Sequence, residues 1–588
     1  MKSAKKVCAV FVVLGCVLAP AGLAQVSYPP PIEWQQSFGG DSTDVLNDLR
    51  QTADGGYILG GTSASRPSGN KTSPSFGQYD YWAIRLDAQG NKLWEQTFGG
   101  IGDEVWPHGM DVLESVQQTA DGGFVLGGFS YSPPDGNKTS PRYGAMDFWL
   151  VRLDAQGHKL WDRSFGGTGE DFLSCLQQTT DGGFILGGDS DSPVSGTKTS
   201  PKFGGRDFWV VRLDANGQQV WDISFGGLPN GLLADDSVSC LQQTADGGFV
   251  LGGSSPSLPG GTKTGLNYGG TDFWLVRLDA DGNVLWDQTY GGIYGDYLES
   301  LQQTADGGFI LGGHSQSPAG GSKTSPSFGL VDFWVVRTDA NGSPLWDRSF
   351  GGSGWDYLES VSQTPEGGFV LGGPSDSLPS GNKTSPNYHS ATDWVPGFDD
   401  YWVVRLDANG DKLWDQSFGG SHSDDLGCLR PTADGGFILG GDSTSASGGN
   451  KTSPNWGNED IWVLKLASDQ DRDGDGVADP QDRCPDTPAG ASVDANGCSA
   501  EQRDTDGDGV NDALDLCADT PPGSVVDAAG CSLEQLCPCA GPWKNHGEYV
   551  NRVKEVAAQF EQAGLITAAQ AQEFLRRATR SDCGKQCR

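Results

Sequence analysis

Two short runs of this chain set aspartates at the spacing a calcium ion requires. The first is Asp471-x-Asp473-x-Asp475-Gly476-Val477-x-Asp479-x-x-Asp482, followed by Cys484 and Cys498. The second begins 33 residues later and sets Asp504, Asp506, Asp508, Gly509, Val510, Asp512 and Asp515 ahead of Cys517 and Cys531. Calcium takes six to eight hard oxygens. A loop supplies them from positions 1, 3, 5, 7, 9 and 12, with a backbone carbonyl at 7 and glycine at 6 for the turn. Val477 and Val510 hold the backbone position. Between Asp469 and Glu534 there are 17 acidic and 3 basic residues, which repel one another unless a cation joins them. A solvated acidic linker would rarely repeat this spacing, so calcium is the predicted cofactor. No helical pattern flanks either run, so they are not an EF-hand pair.

Other chemistry is sparse. The chain has 6 histidines, and no nucleophile–base motif or carboxylate pair stands out, so no enzyme is predicted. Asp103, Glu104 and His108 form the one polar cluster that breaks the pattern of the chain. It lies in a lengthened connection, 101–112, with Trp106. A second lengthened connection is 227–236, and a third, 389–399, adds Trp394. Tyr294 and Trp355 lie in shorter equivalents. Aromatic side chains around a funnel would suit stacking on sugar rings, and Trp106, His108, Tyr294, Trp355 and Trp394 are the candidate ligand contacts. The plainer reading is drift in loop length.

The elements that must carry these residues are set by a repeat. Asp-Gly-Gly-aromatic-(Ile/Val)-Leu-Gly-Gly begins at Asp54, Asp121, Asp181, Asp246, Asp306, Glu366 (with Glu for Asp) and Asp434, at intervals of 67, 60, 65, 60, 60 and 68 residues. Each unit reads as four strands separated by turn residues, with the inner strands apolar on both faces. A period this long in short strands indicates a toroidal or solenoidal array. Sheets packed face to face around an axis make a β-propeller. The last unit lacks its fourth strand, and Ile32-Glu33-Trp34 near the N-terminus supplies one. The predicted fold is all-β: a seven-bladed propeller over 32–468, closed by the N-terminal strand. These units resemble secreted bacterial propeller repeats of DGG-aromatic type, which implies a fold and no activity.

Repeated residues invite structural readings. The Asp-Ala-x-Gly phrases at Asp87, Asp154, Asp214, Asp279, Asp339 and Asp407 are hairpin turns. Trp94, Trp161, Trp221, Trp286, Trp346 and Trp414 pack between blades. Arg85, Arg152, Arg212, Arg277, Arg337 and Arg405 pair with a repeated Asp or a carbonyl. One lysine per blade (Lys71, Lys138, Lys198, Lys263, Lys323, Lys383, Lys451) pins a loop, or else offers a ring of amines to a polymer. Cys175, Cys240 and Cys428 take one equivalent position and are expected as free thiols.

The ends of the chain differ from its middle. Lys2, Lys5 and Lys6, an apolar stretch from Val7 to Leu18 and Gly22-Leu23-Ala24 read as a signal peptide over 1–24, followed by a linker over 25–31. Export would place the chain outside the cell or on its surface, with peripheral attachment and no membrane span. The net charge of -37 argues against nucleic acid as a partner. The acidic segment, 469–536, resembles thrombospondin type 3 repeats. That likeness implies an extended chain wrapped around calcium, with bonds Cys484–Cys498 and Cys517–Cys531. Residues 537–588 read as a helical hairpin, about 546–563 and 568–580, behind capping boxes at Asn545 and Thr567. Cys537, Cys539, Cys583 and Cys587 are expected to staple it by two disulfides, with a zinc site as the alternative. The functional expectation is a secreted calcium-binding recognition or adhesion protein whose propeller face binds an extracellular glycan or surface protein. The alternatives are an extracellular hydrolase or lyase, or a purely structural surface protein.

Overall fold

The computed structural model describes residues 29–102, 109–230, 235–388, 399–469, 477, 482–484, 487–488 and 491–585. The predicted signal peptide lies outside them. The chain divides into two compact units, Pro29–Ser468 and a unit that begins at Asp469.

The third blade shows how the repeat folds. Its strands Asp171–Gln178, Phe184–Ser190, Asp207–Leu213 and Gln219–Phe225 pair antiparallel in that order. Between the first two, Gly182 takes φ +85°, the left-handed conformation the turn requires. Asp181 Oδ1 accepts from Thr179 Oγ1 at 2.6 Å and from the Gly183 amide at 3.1 Å, which fixes that turn. The second and third strands are buried along their whole length, because a neighbouring blade covers each face. Seven such sheets form the ring, and in the last Ile32–Phe38 pairs with Asp460–Leu466 from Phe38–Ile461 to Ile32–Leu466. The ring therefore closes as expected, with the N-terminal strand supplying the fourth strand of the last blade.

The repeated side chains are blade fasteners. Arg212 Nη2 lies 2.7 and 2.6 Å from the two carboxylate oxygens of Asp181, and its Nη1 donates to Phe184 O at 3.1 Å. The second glycine of Leu-Gly-Gly permits close strand approach, since a Cβ on Gly188 would sit 2.0 Å from the Phe172 carbonyl oxygen. Trp221 packs edge-on to Phe249 of the next blade. Lys198 is 2% exposed. Its ammonium donates to Ser200 Oγ at 3.0 Å and to Ser224 Oγ, and lies 5.1 Å from the centre of the Trp209 ring. The other six lysines are buried in the same way. They pin loops, and the ring of exposed amines is not formed.

One seam departs from the others. At six junctions the second residue of the Thr-Ala or Thr-Thr turn donates its amide to a glutamine Oε1 of the next blade, as from Ala120 to Gln178 and from Ala305 to Gln363. At the junction of the sixth and seventh blades the donor position is Pro365 and the acceptor position is Pro431. Neither can make the bond. A second inter-blade bond, such as Gln363 N–H to Gln302 Oε1 at 2.6 Å, is also missing there, because Pro431 has no N–H. The first strand of the sixth blade is only Ser360–Gln363. Amides of 356–366 and 424–432 should therefore exchange hydrogen about tenfold or more faster than those of 171–181 and 296–306. Exchange mass spectrometry on the intact chain measures this, and equal rates at all seven junctions would contradict it.

The second unit holds three disulfides, Cys484–Cys498, Cys517–Cys531 and Cys539–Cys583. Its helices are α1 (Leu533–Leu536), α2 (His546–Gln562) and α3 (Ala568–Arg580); α1 is not apparent in the sequence pattern. Thr567 and Gln570 form the expected capping box. Asn545 caps α2, but Glu548 reaches back to the Lys544 amide instead of completing a box. Tyr549, Val553, Val556, Phe560 and Ile566 are buried together, whereas Leu565 is exposed. The four-cysteine staple needs correction. Cys537 is a free, buried thiol in the helical core, beside α1 and α2, and Cys587 lies outside the described residues. With Cys539 and Cys583 joined to each other, the four-cysteine zinc site is not formed. No helix among the described residues is long and apolar enough to cross a membrane.

Candidate functional site: the propeller channel and an acidic turn

The first strand of each blade lines the central channel, and a defect in it aims the functional side chains. In six blades the register slips by one residue, between Leu46 and Asp48, Leu113 and Ser115, Leu173 and Cys175, Val238 and Cys240, Leu298 and Ser300, and Leu426 and Cys428. The extra residue of such a bulge is unpaired and re-aimed. The bulged residues are Asn47, Glu114, Ser174, Ser239, Glu299 and Gly427, and Glu359 takes the equivalent place in the sixth blade. Together they line a cavity of about 660 Å³, with Arg50, Arg430, Phe129, Phe172 and the three channel cysteines. The scaffold residues repeat from blade to blade, whereas the bulge position varies among Asn, Glu, Ser and Gly.

The charges in the channel are unevenly paired. Burial opposes ionisation of Asp48, but Arg50 at 3.1 Å and Arg430 at 3.8 Å outweigh it and hold the carboxyl below its usual range. The glutamates lack such partners. Burial raises Glu114 to about 7, against a single hydrogen bond from Asn47 Nδ2 at 3.1 Å. Burial also raises Glu299, and the nearby Glu359 carboxylate adds to the effect. Glu359 is raised by burial and then by Asp425. Beside Glu299, His314 stacks on Tyr297 at 5.2 Å and meets Tyr357 edge-on at 4.9 Å. Its Nδ1 lies 4.0 Å from Glu299 Oε1. Across the channel Phe129 and Phe172 pack edge to face, and the Arg206 guanidinium lies 4.2 Å from the Phe172 ring centre.

The acidic turn of the second unit forms a separate cluster. One carboxylate oxygen from each of Asp504, Asp506 and Asp508 lies within 4.8 Å of the others. Asp504 accepts the Gly507 and Gly509 amides, both at 2.9 Å, which curls the turn around it. Asp506 Oδ1 and Asp508 Oδ2 are buried with no hydrogen-bond partner. Those two oxygens suit a hard cation, and the donor set is all oxygen. Asp515 Oδ1 approaches the same place, since both it and Asp508 Oδ2 crowd the Cβ position of Gly530. Asp512 instead accepts Thr505 N–H and Oγ1–H at 2.8 and 2.7 Å, and the Val510 amide bonds Asp508.

The predicted residues fall unevenly. Asp471, Asp473, Asp475 and Asp479 lie outside the described residues, as do Trp106, His108 and Trp394, while Val477 and Asp482 lie within them. Tyr294 is 56% exposed on the crossover into the fifth blade. Trp355 is half-buried on the crossover into the sixth, and its amide is held by Asp376. Neither lines the channel cavity. The channel glutamates and Tyr297, His314 and Tyr357 were missed, although aligning the repeats against one another would have shown their first strands diverging.

No family model matches the chain. A segment is 28% identical over 224 residues to the regulatory protein FlaEY of Caulobacter vibrioides, covering 36% of this chain and 22% of that protein. Among solved structures, Sqt1 from Chaetomium thermophilum covers 75% of this chain and 100% of its own at 12% identity, with a TM-score of 0.34. A protein of unknown function from Dyadobacter fermentans covers 74% and 99% at 10% identity, with a TM-score of 0.36. Puromycin hydrolase covers 73% and 54% at 13% identity, with a TM-score of 0.35. The chain thus spans about a fifth of the curated relative it matches, and its function must be argued from its own residues.

Proposed function

We propose that this chain is an extracellular recognition protein. Its propeller receives a ligand at the channel mouth, and its acidic segment, which resembles thrombospondin type 3 repeats, binds calcium. The observation that carries the calcium reading is the meeting of Asp504, Asp506 and Asp508 with two buried carboxylate oxygens left unpartnered. Recognition is supported by the divergence of the channel residues within an otherwise regular scaffold, since binding residues gather where a rigid frame presents variable positions. Binding without turnover is favoured by the channel thiols. Cys175 and Cys240 donate to Gly187 O and Gly252 O, and burial raises both thiols rather than activating them. Three disulfides and the N-terminal signal pattern support export.

Calcium titrated into chelator-stripped protein should release heat and raise the melting temperature of the second unit. Asp506→Asn and Asp508→Asn should each weaken that binding about tenfold or more. Identical calorimetric traces for the parent and both variants would remove calcium from this reading. The ligand arm is a glycan and small-molecule screen of the calcium-loaded protein, repeated with Phe172→Ala and Tyr357→Ala. Hits that ignore both substitutions would place recognition away from the channel.

A further inference from the structure

We infer that the propeller channel receives an organic cation, the ammonium or guanidinium group of a small molecule or of a partner's side chain. This rests on the reading of the channel as the recognition site and names the chemistry of its ligand. Glu359 lines the channel, half-buried, and among the described residues no cation or hydrogen-bond donor pairs with it. Glu299, one blade away, has the Ser239 hydroxyl as a hydrogen-bond partner and His314 at 4.0 Å, but no countercharge in contact. Glu114, across the channel, has only the Asn47 amide. Carboxylates gathered in a partly desolvated channel without a countercharge are costly, and a bound cation is what relieves them.

The protein's own cations do not serve this purpose. Arg50 and Arg430 converge on Asp48, and Arg430 also donates to Ser360 Oγ at 3.2 Å. Arg206 is committed to Glu170 at 2.7 Å. Asp425, facing Glu359 from the seventh blade, adds negative charge rather than relieving it. The remaining titratable groups on the cavity wall, Cys175, Cys240 and Cys428, are neutral thiols.

Two features select an organic cation over a metal ion or a neutral ligand. Among the described residues, three carboxylate oxygens approach within 4.8 Å of one another only at Asp504, Asp506 and Asp508. The three channel glutamates do not meet at that distance, so a bare divalent ion would lack a full set of ligands, while a group with several N–H bonds can bridge a wider spacing. The wall is also aromatic. Arg206 already lays its guanidinium on Phe172 at 4.2 Å, which shows that this rim accommodates a planar cation on a ring face. A cavity of about 660 Å³ has room for a ligand of that kind. A neutral sugar would leave the carboxylates uncompensated.

The test uses the full-length protein in 1 mM calcium and about 150 mM salt, which suppresses loose attraction to the acidic surface. Agmatine and spermidine serve as organic cations, glutarate as an anion, mannose as a neutral ligand and magnesium as the metal, each followed by calorimetry. Agmatine should bind. Glu359→Gln should weaken it at least tenfold, and Glu299→Gln with Glu359→Gln should abolish it; both changes remove charge without volume. Affinity should rise about tenfold from pH 6 to pH 8.5, because the carboxyls must ionise to hold the cation. Agmatine and spermidine that fail to bind, or that bind the double variant equally well, would overturn the inference. So would magnesium binding lost in the double variant. Mannose or glutarate binding that is lost in Phe172→Ala but unmoved by Glu359→Gln would overturn the cation while keeping the channel as a recognition site. Binding by none of the five would overturn both.

Discussion

Trp209→Ala is expected to destabilise the propeller by about 4 kcal/mol, within the range for emptying a large buried aromatic site. Trp209 is fully buried and packs at 4.6 Å on Phe148 of the preceding blade. Its loss opens a cavity at a blade junction that the rigid ring is poorly able to close. It also uncovers two polar groups. Lys198 loses the ring face 5.1 Å from its ammonium, and Asp222 loses the indole N–H at 2.9 Å. Trp149, Trp274, Trp334 and Trp402 stand in the same surroundings, so their alanine variants should cost about as much. Phenylalanine keeps the aromatic packing and removes only the hydrogen bond, so Trp209→Phe should cost about 1–2 kcal/mol. The first blade provides an internal control. Glu95 stands there in place of the aspartate, and Trp82 Nε1 has no partner, so Trp82→Phe should cost less than Trp209→Phe. Urea unfolding of the intact chain gives all of these values, and a loss below about 1 kcal/mol for Trp209→Ala would refute the packing argument.

The second large effect is on pH. Each junction sets two aspartates against each other across the first glycine of Phe-Gly-Gly. At Gly419 a Cβ would lie 1.9 Å from Asp400 Oδ1 and 3.0 Å from Asp424 Oδ2, so only glycine leaves room for the pair. Asp147, Asp272, Asp332, Asp400 and Asp460 each bury an Oδ1 with no hydrogen-bond partner. Burial, then the facing carboxylate, raises Asp147 to about 7, Asp272 to about 7 and Asp400 to about 8. A carboxyl that holds its proton more tightly folded than unfolded stabilises the fold below the usual carboxylate range, near pH 4. That stability is lost progressively from about pH 4 until pH passes the folded values of about 7 to 8. Aspartates with lowered values, such as Asp54 and Asp222, act in the opposite sense, but only below that range. The melting temperature of the propeller should therefore peak near pH 4 and fall by about 5–10 °C by pH 8.5. A curve that is flat or rising between pH 5.5 and 8 would show that the pairs do not share protons. Asp400→Asn should flatten part of the fall.

Blade number, strand order and ring closure were legible in the residues. The signals are local: glycine at left-handed turns, apolar residues on both faces of inner strands, and a missing fourth strand that reappears at Ile32. The roles of Arg212 and Trp221 followed from repetition, because a residue present in each blade serves what each blade must do. The meeting of Asp504, Asp506 and Asp508 was legible for the same reason, since their oxygens are close neighbours along the chain.

What the residues left open depended on partners distant in sequence. Lys198 could have been an exposed amine until Trp209 and Ser224 closed over it. Cys537 was expected in a disulfide, but α1 turns it into the helical core. The channel was missed because a strand normally alternates its side chains between two faces. One extra residue in register brings Glu114 and Glu299 to the channel, with Glu359 at the equivalent place beside the short strand of the sixth blade. Register is a property of paired strands. The sequence alone therefore determined the ring and its fasteners, and tertiary structure decided which side chains face the channel and which remain without a partner there.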